Sequence, residues 1–447
     1  MSSSLFVGLL SVSFLLYTYI SILANYLIAL QTEKYNQNAR IKKIISNSGI
    51  LLNIGALVFF KYLGFIIYSV DEFLHLFNFS VSLTFPDIII PLGISYYTFQ
   101  GISYLLQVYR GIEKAEKNII VFSNYFLLFP KFLAGPIELS KKLIPQLNNI
   151  HSFYYPDILD GLKQILWGAF KKMVIADRLA MLINGVYPNL EGMSGNILIF
   201  TFILQPLQIY CDFSGYTDIA VGIGKTLGFK LTDNFNRPFF STNVSMFWQR
   251  WHISLTAWCN EFIFRRLIFK RRKWGLWASV YSVFITFLVI GLWHGPRWNY
   301  IILGLLQGIA INYEFFTRKF RLKIAGMLPK KLVLFLSYIV VYLFFCFTLI
   351  FFNATKVSDS LYFISHMFVN INFSDFYLEF LTRFDKIIVL ISLIFLFIVE
   401  FRQERGKNIF DEIGLWPRWI RTLCYYVICI LIIYFGSPVK EFVYMQF

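Results

Sequence analysis

The sequence predicts an all-α, polytopic membrane protein. Apolar runs of about 20 residues recur from one end of the chain to the other, and this is the length that an α-helix needs to cross the hydrocarbon core of a bilayer. Hydrophobic residues make up 57% of the 447 residues and charged residues only 15%, whereas an average soluble domain is about one-quarter charged. The alternating segments of about 10 residues that are typical of membrane β-barrels are not visible. We therefore expect a single membrane domain, residues 1–447, with roughly ten to twelve transmembrane or re-entrant helices.

Basic residues outnumber acidic residues, 41 to 25, which gives a net charge of +16. In a soluble protein this excess would suggest a nucleic-acid partner, but in a multi-span protein basic residues collect in the cytoplasmic loops. Basic segments at residues 34–43, 110–117, 265–273, 318–323 and 402–407 alternate with segments poorer in Lys and Arg. We expect the lipid bilayer, and no nucleic acid, as the partner, and we expect both termini to lie outside the cytoplasm.

The first membrane spans are predicted at residues 5–30, 44–70 and 88–108, with an external loop at residues 71–87 that has no Lys or Arg. The next stretch, residues 118–147, contains Pro130, Pro136 and Pro145. Prolines at this density exclude a straight helix, and broken backbone at membrane depth occurs only where it is buried in protein or lines a cavity. We therefore expect a re-entrant or half-depth element here.

The second half of the chain alternates between further spans and polar segments. Residues 157–186 are amphipathic, and they could lie along the cytoplasmic face or pack tilted within the bundle. A longer external loop is predicted at residues 353–385. The remaining spans are predicted at residues 196–210, 276–293, 299–316, 332–352, 387–401 and 420–435.

Residues 247–298 contain the strongest candidates for chemistry. Two of the five histidines, His252 and His294, lie in this segment, each directly after a tryptophan. His294 ends an apolar run without charged residues and lies between Gly291 and Gly295, whose lack of a side chain permits the close approach of a substrate. An ionisable residue at this depth is a functional candidate by default, and imidazole suits a general base that acts on a hydroxyl. The alternative is a Trp–His pair that anchors a helix end at the interface.

His252 has two interpretations that remain open. If residues 247–256 form one helix, Trp248, His252 and Thr256 share a face and Arg250 lies on another. His252 could then orient substrate or support the reactive site, or it could be a polar anchor in a structural network. The candidates for substrate binding around the two histidines are Trp248, Arg250, Trp293, Trp298 and Asn299.

A polar patch at residues 212–218 contains Asp212 and Asp218, which face different sides of a helix and so do not form an acid–base pair. Asp218 and Lys225 are seven residues apart and share a face, which favours a structural ion network. The five cysteines are scattered without a C-x-x-C pair, so neither a disulfide framework nor a metal site is predicted.

The motifs of this chain resemble those of the membrane-bound O-acyltransferase family, and in particular its bacterial branch that O-acetylates alginate. The resemblance covers most of the chain and is strongest in a motif core at about residues 91–308. Lys131 and the pair Pro296 and Arg297 are departures, because relatives often have uncharged polar or small residues there. The matching blocks, in chain order, are residues 91–100, 108–111, 129–130 with 134–137, 209–210 with 212–218, 234–238, 247–255, 291–295 and 442–447.

The resemblance implies an acyl transfer across the membrane, with His294 as the catalytic residue. The position of His252 is asparagine in many eukaryotic relatives, which implies a hydrogen-bonding role. The implied fold is a helical bundle around a central tunnel, which joins a cytoplasmic acyl donor, acetyl-CoA or an acyl carrier, to an external acceptor. No bound cofactor is implied. The implied partner is a periplasmic or extracellular acyltransferase, and the implied location is the bacterial cytoplasmic membrane.

Three hypotheses for function follow from these observations. The first is an O-acyltransferase that moves acetyl groups toward hydroxyls of a cell-surface polysaccharide, with His294 as general base. The second keeps the chemistry but transfers D-alanyl groups to teichoic acid from a carrier protein, which would dock near residues 265–273. The third is a glycan or lipid exporter without chemistry of its own, although the paired repeats common in transporters are not visible.

Overall fold

The structure is a computed structural model that describes residues 2–436 apart from residues 80–82, 84, 85, 87, 134, 372–379 and 408. The C-terminal motif block at residues 442–447 and part of the predicted external loop at residues 353–385 therefore lie outside the described residues. The described part of the chain forms helices and no β-strand. This confirms the predicted all-α class.

The Cα positions divide the chain into two compact units. Both candidate histidines, His252 and His294, belong to the second unit. The single domain expected from the sequence stays a prediction. The first unit consists of Met1–Gly161 and Ile223–Thr232, and the second of Leu162–Gly222 and Asp233–Phe447.

The helices up to residue 186 are interrupted at several points. A π-helical segment, Val58–Tyr62, joins α3 to α4, and another, Phe170–Ala176, joins α9 to α10. The α-helices are α1 (Ser2–Leu10), α2 (Val12–Lys34), α3 (Ala39–Leu57), α4 (Leu63–Leu76), α5 (Ile94–Tyr109), α6 (Ile119–Leu127), α7 (Phe129–Phe132), α8 (Ser140–Asn148), α9 (Tyr155–Ala169) and α10 (Asp177–Val186).

The later helices carry the site. A π-helical segment, Asn260–Phe264, joins α13 to α14, and the 3-10 turns are Tyr187–Gly192, Pro238–Phe240 and Arg272–Trp274. The α-helices are α11 (Gly195–Thr226), α12 (Val244–Arg250), α13 (Ile253–Cys259), α14 (Arg265–Lys270), α15 (Leu276–His294), α16 (Trp298–Phe316), α17 (Arg318–Ala325), α18 (Lys330–Asn353), α19 (Val357–His366), α20 (Arg383–Glu404), α21 (Ile409–Gly414) and α22 (Arg418–Phe435).

Six helical stretches in the described part of the chain are long and apolar enough to cross a membrane. The pair α16 and α17 is bent by 66° and makes a seventh if it is counted as one span. The protein is therefore a multi-pass membrane protein, and it also contains helices too short to cross a membrane. The six stretches are α2, the continuous run Ala39–Leu76, α11, α15, α18 and α22.

The proline-rich stretch is broken into short helices, as the sequence predicts. α6 ends at Leu127, and Leu128 leaves the helical conformation, with φ −50° and ψ 106°. α7 has only four residues, and its proline lies in the first turn, where a missing N–H costs no helical hydrogen bond. The interruption of the helix is confirmed, and a re-entrant path through the membrane stays a prediction.

Two glycines bring α15 and α16 into backbone contact. A Cβ atom at Gly291 would lie 2.3 Å from the carbonyl oxygen of Tyr300, and one at Gly304 would lie 2.3 Å from that of Phe287. Small residues at such a contact let two membrane helices approach closely, so that van der Waals packing holds them together. This contact fixes the end of α15, where His294 lies.

Candidate active site

His294 is the last residue of α15 and is buried, with 5% of its surface exposed. Its ring lies among three aromatic rings, with centroid distances of 5.2 Å to Trp293, 5.4 Å to Phe352 and 6.1 Å to Tyr300. These rings come from α15, α16 and α18. The imidazole is therefore held in an apolar, enclosed position at a helix end, as the sequence predicts for this residue.

His252 is fully buried, but its local structure differs from the expected helix. α12 ends at Arg250, Trp251 is extended (φ −111°, ψ 129°), and α13 begins only at Ile253. His252 itself has left-handed backbone angles, φ 44° and ψ 53°, a region that is uncommon for residues other than glycine. The prediction that Trp248, His252 and Thr256 share one helix face is wrong, because the helix breaks between Arg250 and Ile253.

One indole connects the two histidines. The ring of Trp293 lies 5.4 Å from the ring of His252 and 5.2 Å from the ring of His294, measured between centroids. Phe213 of α11 packs edge-on against His252 at 4.7 Å. The structure thus brings the two histidines of the central segment to the same tryptophan, although the sequence separates them by a complete membrane helix.

Asn234, which the sequence reasoning did not single out, organises the backbone around His252. Its carbonyl oxygen accepts a hydrogen bond from Ile253 N at 2.9 Å, and its side-chain Oδ1 accepts one from Ser254 N at 3.0 Å. The first N–H groups of a helix have no partner within the helix, and His252 provides no side-chain cap for α13. Asn234 therefore caps α13 from a distant position. Its motif, residues 234–238, was visible in the sequence, but its role depends on tertiary contact.

Trp248 is held by a chain of side-chain hydrogen bonds. Its indole Nε1 donates to Oε1 of Gln307 at 3.0 Å, and Nε2 of Gln307 donates to Oγ1 of Thr348 at 3.1 Å. Because these residues lie on α12, α16 and α18, the bonds join three helices around the site. A role of Trp248 in substrate binding stays a prediction.

Arg250 forms an ion pair within the protein. Its Nη2 lies 3.0 Å from Oε1 of Glu404, whose other oxygen, Oε2, lies 2.9 Å from Nε of Arg237. Nη1 of Arg250 also donates to the carbonyl oxygens of Arg237 and Phe240, at 3.4 and 3.3 Å. Arg250 thus ties α12 to α20, and substrate binding by this residue stays a prediction.

Asn299 and Trp298, at the start of α16, have different surroundings. Nδ2 of Asn299 is buried and donates to the carbonyl oxygens of Ala354 and Lys356, at 2.9 and 3.1 Å, and to Oγ of Ser360 at 3.3 Å. This amide therefore fixes the turn between α18 and α19. Trp298 is 50% exposed. Contact of either residue with substrate stays a prediction.

The two aspartates of the polar patch belong to an ion network, but with different partners from those expected. Asp218 lies 2.6 Å from Nζ of Lys171, and Asp212 lies 2.5 Å from Nζ of Lys172. Lys172 also lies 2.7 Å from Asp177. Lys225, the predicted partner of Asp218, pairs with Asp160 at 3.3 Å. The predicted pairing along one helix face is therefore wrong.

The reason is a close approach of α9 and α11, which the sequence does not reveal. A Cβ atom at Gly168 would lie 2.5 Å from the carbonyl oxygen of Gly215, and one at Gly215 would lie 2.7 Å from that of Gly168. This contact places Lys171 and Lys172, just beyond Gly168, beside the aspartates of α11. Among the residues that the structure describes, no group of three or more His, Cys, Asp or Glu side chains is arranged to hold a metal ion.

The family model of the membrane-bound O-acyltransferases (MBOAT) matches residues 115–355, which is more than half of the chain. The matched region contains Asn234, His252 and His294. Trp293, whose ring contacts both histidines, also lies within it.

The chain is similar to several bacterial proteins. It is 34% identical over 267 residues to a probable alginate O-acetylase of Pseudomonas aeruginosa, covering 60% of this chain and 50% of that protein. It is 30% identical over 478 aligned positions to the peptidoglycan O-acetyltransferase of Helicobacter pylori, covering 96% and 86%. It is 29% identical over 267 residues to the teichoic acid D-alanyltransferase of Bacillus subtilis, covering 57% and 67%. The chain spans about half the length of the alginate O-acetylases that it matches.

Proposed function

This chain belongs to the membrane-bound O-acyltransferase family, and we propose that it is an enzyme that moves an acetyl group toward hydroxyls of a cell-surface polysaccharide. Support comes from the names of the relatives, which include O-acetylases of alginate and of peptidoglycan. The peptidoglycan relative aligns with 96% of this chain. The buried His294 beside Trp293 and His252 is the observation that carries the proposal, because it supplies a base in an enclosed position.

In the proposed reaction, His294 acts as the general base. The oxygen of the attacking hydroxyl forms a bond to the carbonyl carbon of the acyl donor while its proton passes to the imidazole. The bond between that carbon and the sulfur or oxygen of the donor then breaks, and the leaving group takes the proton from the imidazolium. The aromatic rings around His294 exclude water, and dipoles in a dry site stabilise the developing negative charge more strongly than they do in water.

His252 has a supporting role in this proposal. Its ring contacts the same indole as His294, so it is placed to orient a substrate group by a hydrogen bond. The left-handed backbone conformation of His252 supports a role for this residue in the reaction, because strained residues cluster at active sites. The Asn234 contacts to Ile253 and Ser254 hold this conformation in place.

The proposal includes a direction for the reaction. The acyl donor, acetyl-CoA or an acyl carrier, is supplied from the cytoplasm, and the acceptor is met outside the bacterial cytoplasmic membrane. Both termini lie outside, and a periplasmic or extracellular acyltransferase completes delivery to the polysaccharide. The basic segment at residues 265–273 supports a cytoplasmic position for α14, because basic residues collect on that side.

A D-alanyl transfer to teichoic acid is the second candidate, because a teichoic acid D-alanyltransferase is among the similar proteins. Its alignment covers 57% of this chain, against 96% for the peptidoglycan O-acetyltransferase at nearly the same identity. The names of these relatives all describe group transfer, which favours an enzyme over an exporter.

The test is the composition of the surface polymer from cells that contain the protein and from cells in which its gene is deleted. NMR of the purified polymer distinguishes O-acetyl groups from ester-linked alanine. Loss of the O-acetyl signal on deletion, and its return with the intact gene, supports the proposal. Loss of ester-linked alanine moves the assignment to the second candidate. A smaller amount of polymer at the cell surface, with unchanged substituents on the polymer that remains, indicates export instead.

A further inference from the structure

Asn234 has a side-chain donor that the cap of α13 does not use. The residue is buried, with 1% of its surface exposed. Its carbonyl oxygen and its Oδ1 accept hydrogen bonds from Ile253 N and Ser254 N. Its Nδ2 is fully enclosed and has no hydrogen-bond partner among the residues that the structure describes.

An enclosed amide donor without an acceptor is unusual in a native protein. Nearly all buried polar groups have a partner, and a specific exception calls for an explanation such as a catalytic role or a bound group. Replacing Asn234 by an apolar residue would remove the free-energy cost of burying an unpaired donor, but it would also remove the cap of α13. The cap therefore explains why an oxygen is needed here, and leaves unexplained why the residue also carries an N–H₂ group.

The position of this donor relates it to the proposed reaction. Oδ1 and Nδ2 belong to one planar amide, so Nδ2 lies beside the backbone of Ile253 and Ser254, directly after His252. The ring of His252 contacts Trp293, and Trp293 contacts His294. The unused N–H₂ group thus lies beside the residues that directly follow His252, the histidine that shares Trp293 with the proposed base.

We propose that Nδ2 of Asn234 donates a hydrogen bond to the carbonyl oxygen of the acyl group while that oxygen becomes an oxyanion. This inference rests on the proposed acyl transfer and assigns to Asn234 a catalytic role in it. Side-chain amides are known oxyanion donors, because a fixed dipole aimed at developing charge needs no reorganisation during the reaction. The ligand class is the acyl group of a thioester or an oxyester.

The electron balance of the step assigns one task to each side chain. The lone pair of the hydroxyl oxygen forms the new C–O bond, and the electron pair of the C=O double bond moves onto the carbonyl oxygen. Asn234 stabilises that charge, and His294 holds the proton. When the C=O bond re-forms, the bond to the leaving sulfur or oxygen breaks, and the leaving group accepts the proton from His294.

An exchange of Asn234→Asp separates the donor from the cap. Aspartate has nearly the same shape, and its carboxylate accepts the Ser254 N–H as a favoured helix-capping group, but in its ionised form it has no proton to donate from the second oxygen. Asn234→Ala removes both functions. Asn236→Asp is the matched control, because Asn236 lies in the same loop and is exposed.

The measurement is the rate of acetyl transfer to surface polymer in cells at equal amounts of protein, together with the melting temperature of the purified full chain. We expect Asn234→Asp to lose about 10²–10³-fold in rate, the typical loss for one oxyanion donor. Its buried carboxylate lowers the melting temperature, but because the cap of α13 is kept, the variant should melt closer to the wild type than Asn234→Ala does. Asn236→Asp should match the wild type in both, and Asn234→Ala should also melt at a lower temperature.

Two results overturn the inference and leave the proposed function intact, provided that His294→Ala abolishes transfer. One is an Asn234→Asp rate within a few-fold of the wild type, which indicates an enclosed water as the partner of Nδ2. The other is an equal loss of rate and of melting temperature in Asn234→Asp and Asn234→Ala, which indicates a structural role alone. If the wild type itself transfers no more acetyl than the deletion strain, the proposed function and this inference both fail.

Discussion

His252 and His294 share Trp293: each imidazole packs against its indole, with ring centroids 5.4 and 5.2 Å away. The two histidines lie on different elements, one in a left-handed connection and the other at the end of α15. A single aromatic side chain therefore sets the position of both relative to one another. Any change at Trp293 should alter the site as a whole.

We expect Trp293→Ala to abolish most acyl transfer and to lower the free energy of unfolding by about 3–5 kcal/mol, the usual cost of removing a large buried aromatic side chain. Trp293→Phe keeps an aromatic contact and should retain more of the acyl transfer and more of the stability than Trp293→Ala. Trp277→Ala on the same helix is the control, because Trp277 is 68% exposed. Full activity in a folded Trp293→Ala protein would contradict the role given to this indole.

The contact between α15 and α16 leads to a second prediction. Gly291→Ala places a methyl group where the carbonyl oxygen of Tyr300 lies 2.3 Å away, so the helices must separate and His294 must move. We expect a lower melting temperature and a loss of transfer. Gly55→Ala in α3 is the matched control, because nothing lies within 4 Å of its added Cβ and alanine favours a helix by up to about 1 kcal/mol.

A melting temperature for Gly291→Ala equal to or above that of the wild type would show that the helices do not need this contact. An unchanged or higher melting temperature for Gly55→Ala is expected, and it does not count against the role of the contact between α15 and α16.

The ion network around α9 and α11 gives a third prediction. Lys171→Met leaves Asp218 without its 2.6 Å partner, and breaking a buried pair by removing one member typically costs about 3–5 kcal/mol. Because Asp218 is 23% exposed, we expect the free energy of unfolding to fall by an amount near the lower end of this range. Lys225→Met breaks only the exposed pair with Asp160 and should cost about 0–1 kcal/mol.

Chemical unfolding of the two purified variants measures this difference. If Lys225→Met is the more destabilising of the two, the pairing read from the sequence is correct after all, and the network described here is not the one that stabilises the protein.

Arg250 gives a fourth prediction, which separates structure from substrate binding. Arg250→Met and Glu404→Gln each break the 3.0 Å pair between α12 and α20. If Arg250 acts only through Glu404, the double variant should lose less unfolding free energy than the two single variants lose together. The difference between residues in contact is typically about 0.5–3 kcal/mol.

Acyl transfer by the same variants completes the test. A structural role predicts that Arg250→Met and Glu404→Gln reduce transfer to similar extents, in step with their loss of stability. A much larger loss of transfer in Arg250→Met than in Glu404→Gln would assign Arg250 to the substrate, as the sequence suggests.

The sequence predicts what depends on composition and local order, and fails where tertiary contact decides. The apolar runs predict the membrane helices, and the prolines between residues 118 and 147 predict the interruption after α6. The end of the charge-free run predicts the enclosed position of His294. The break at Trp251 and His252 is not predicted, because the residues of this segment are all compatible with a continuous helix.

The sequence also does not predict which residues of distant elements form ion pairs or hydrogen bonds with one another. Asp218 pairs with Lys171, and not with Lys225, because Gly168 and Gly215 let α9 approach α11. The capping role of Asn234 likewise depends on a loop that returns alongside Ile253 and Ser254. Both contacts join elements that are distant in the chain, and periodicity along one helix cannot reveal them.

The central claim is that His294 is the base for acyl transfer, and one measurement tests it most directly. The surface polymer is purified from deletion cells that produce wild-type protein, His294→Ala or His75→Ala at equal membrane levels, and its O-acetyl content is measured by NMR. His75 is the control, because its side chain is 55% exposed beside Asp71. The account predicts normal acetylation with His75→Ala and none above the deletion background with His294→Ala. Normal acetylation with a folded His294→Ala protein would contradict it.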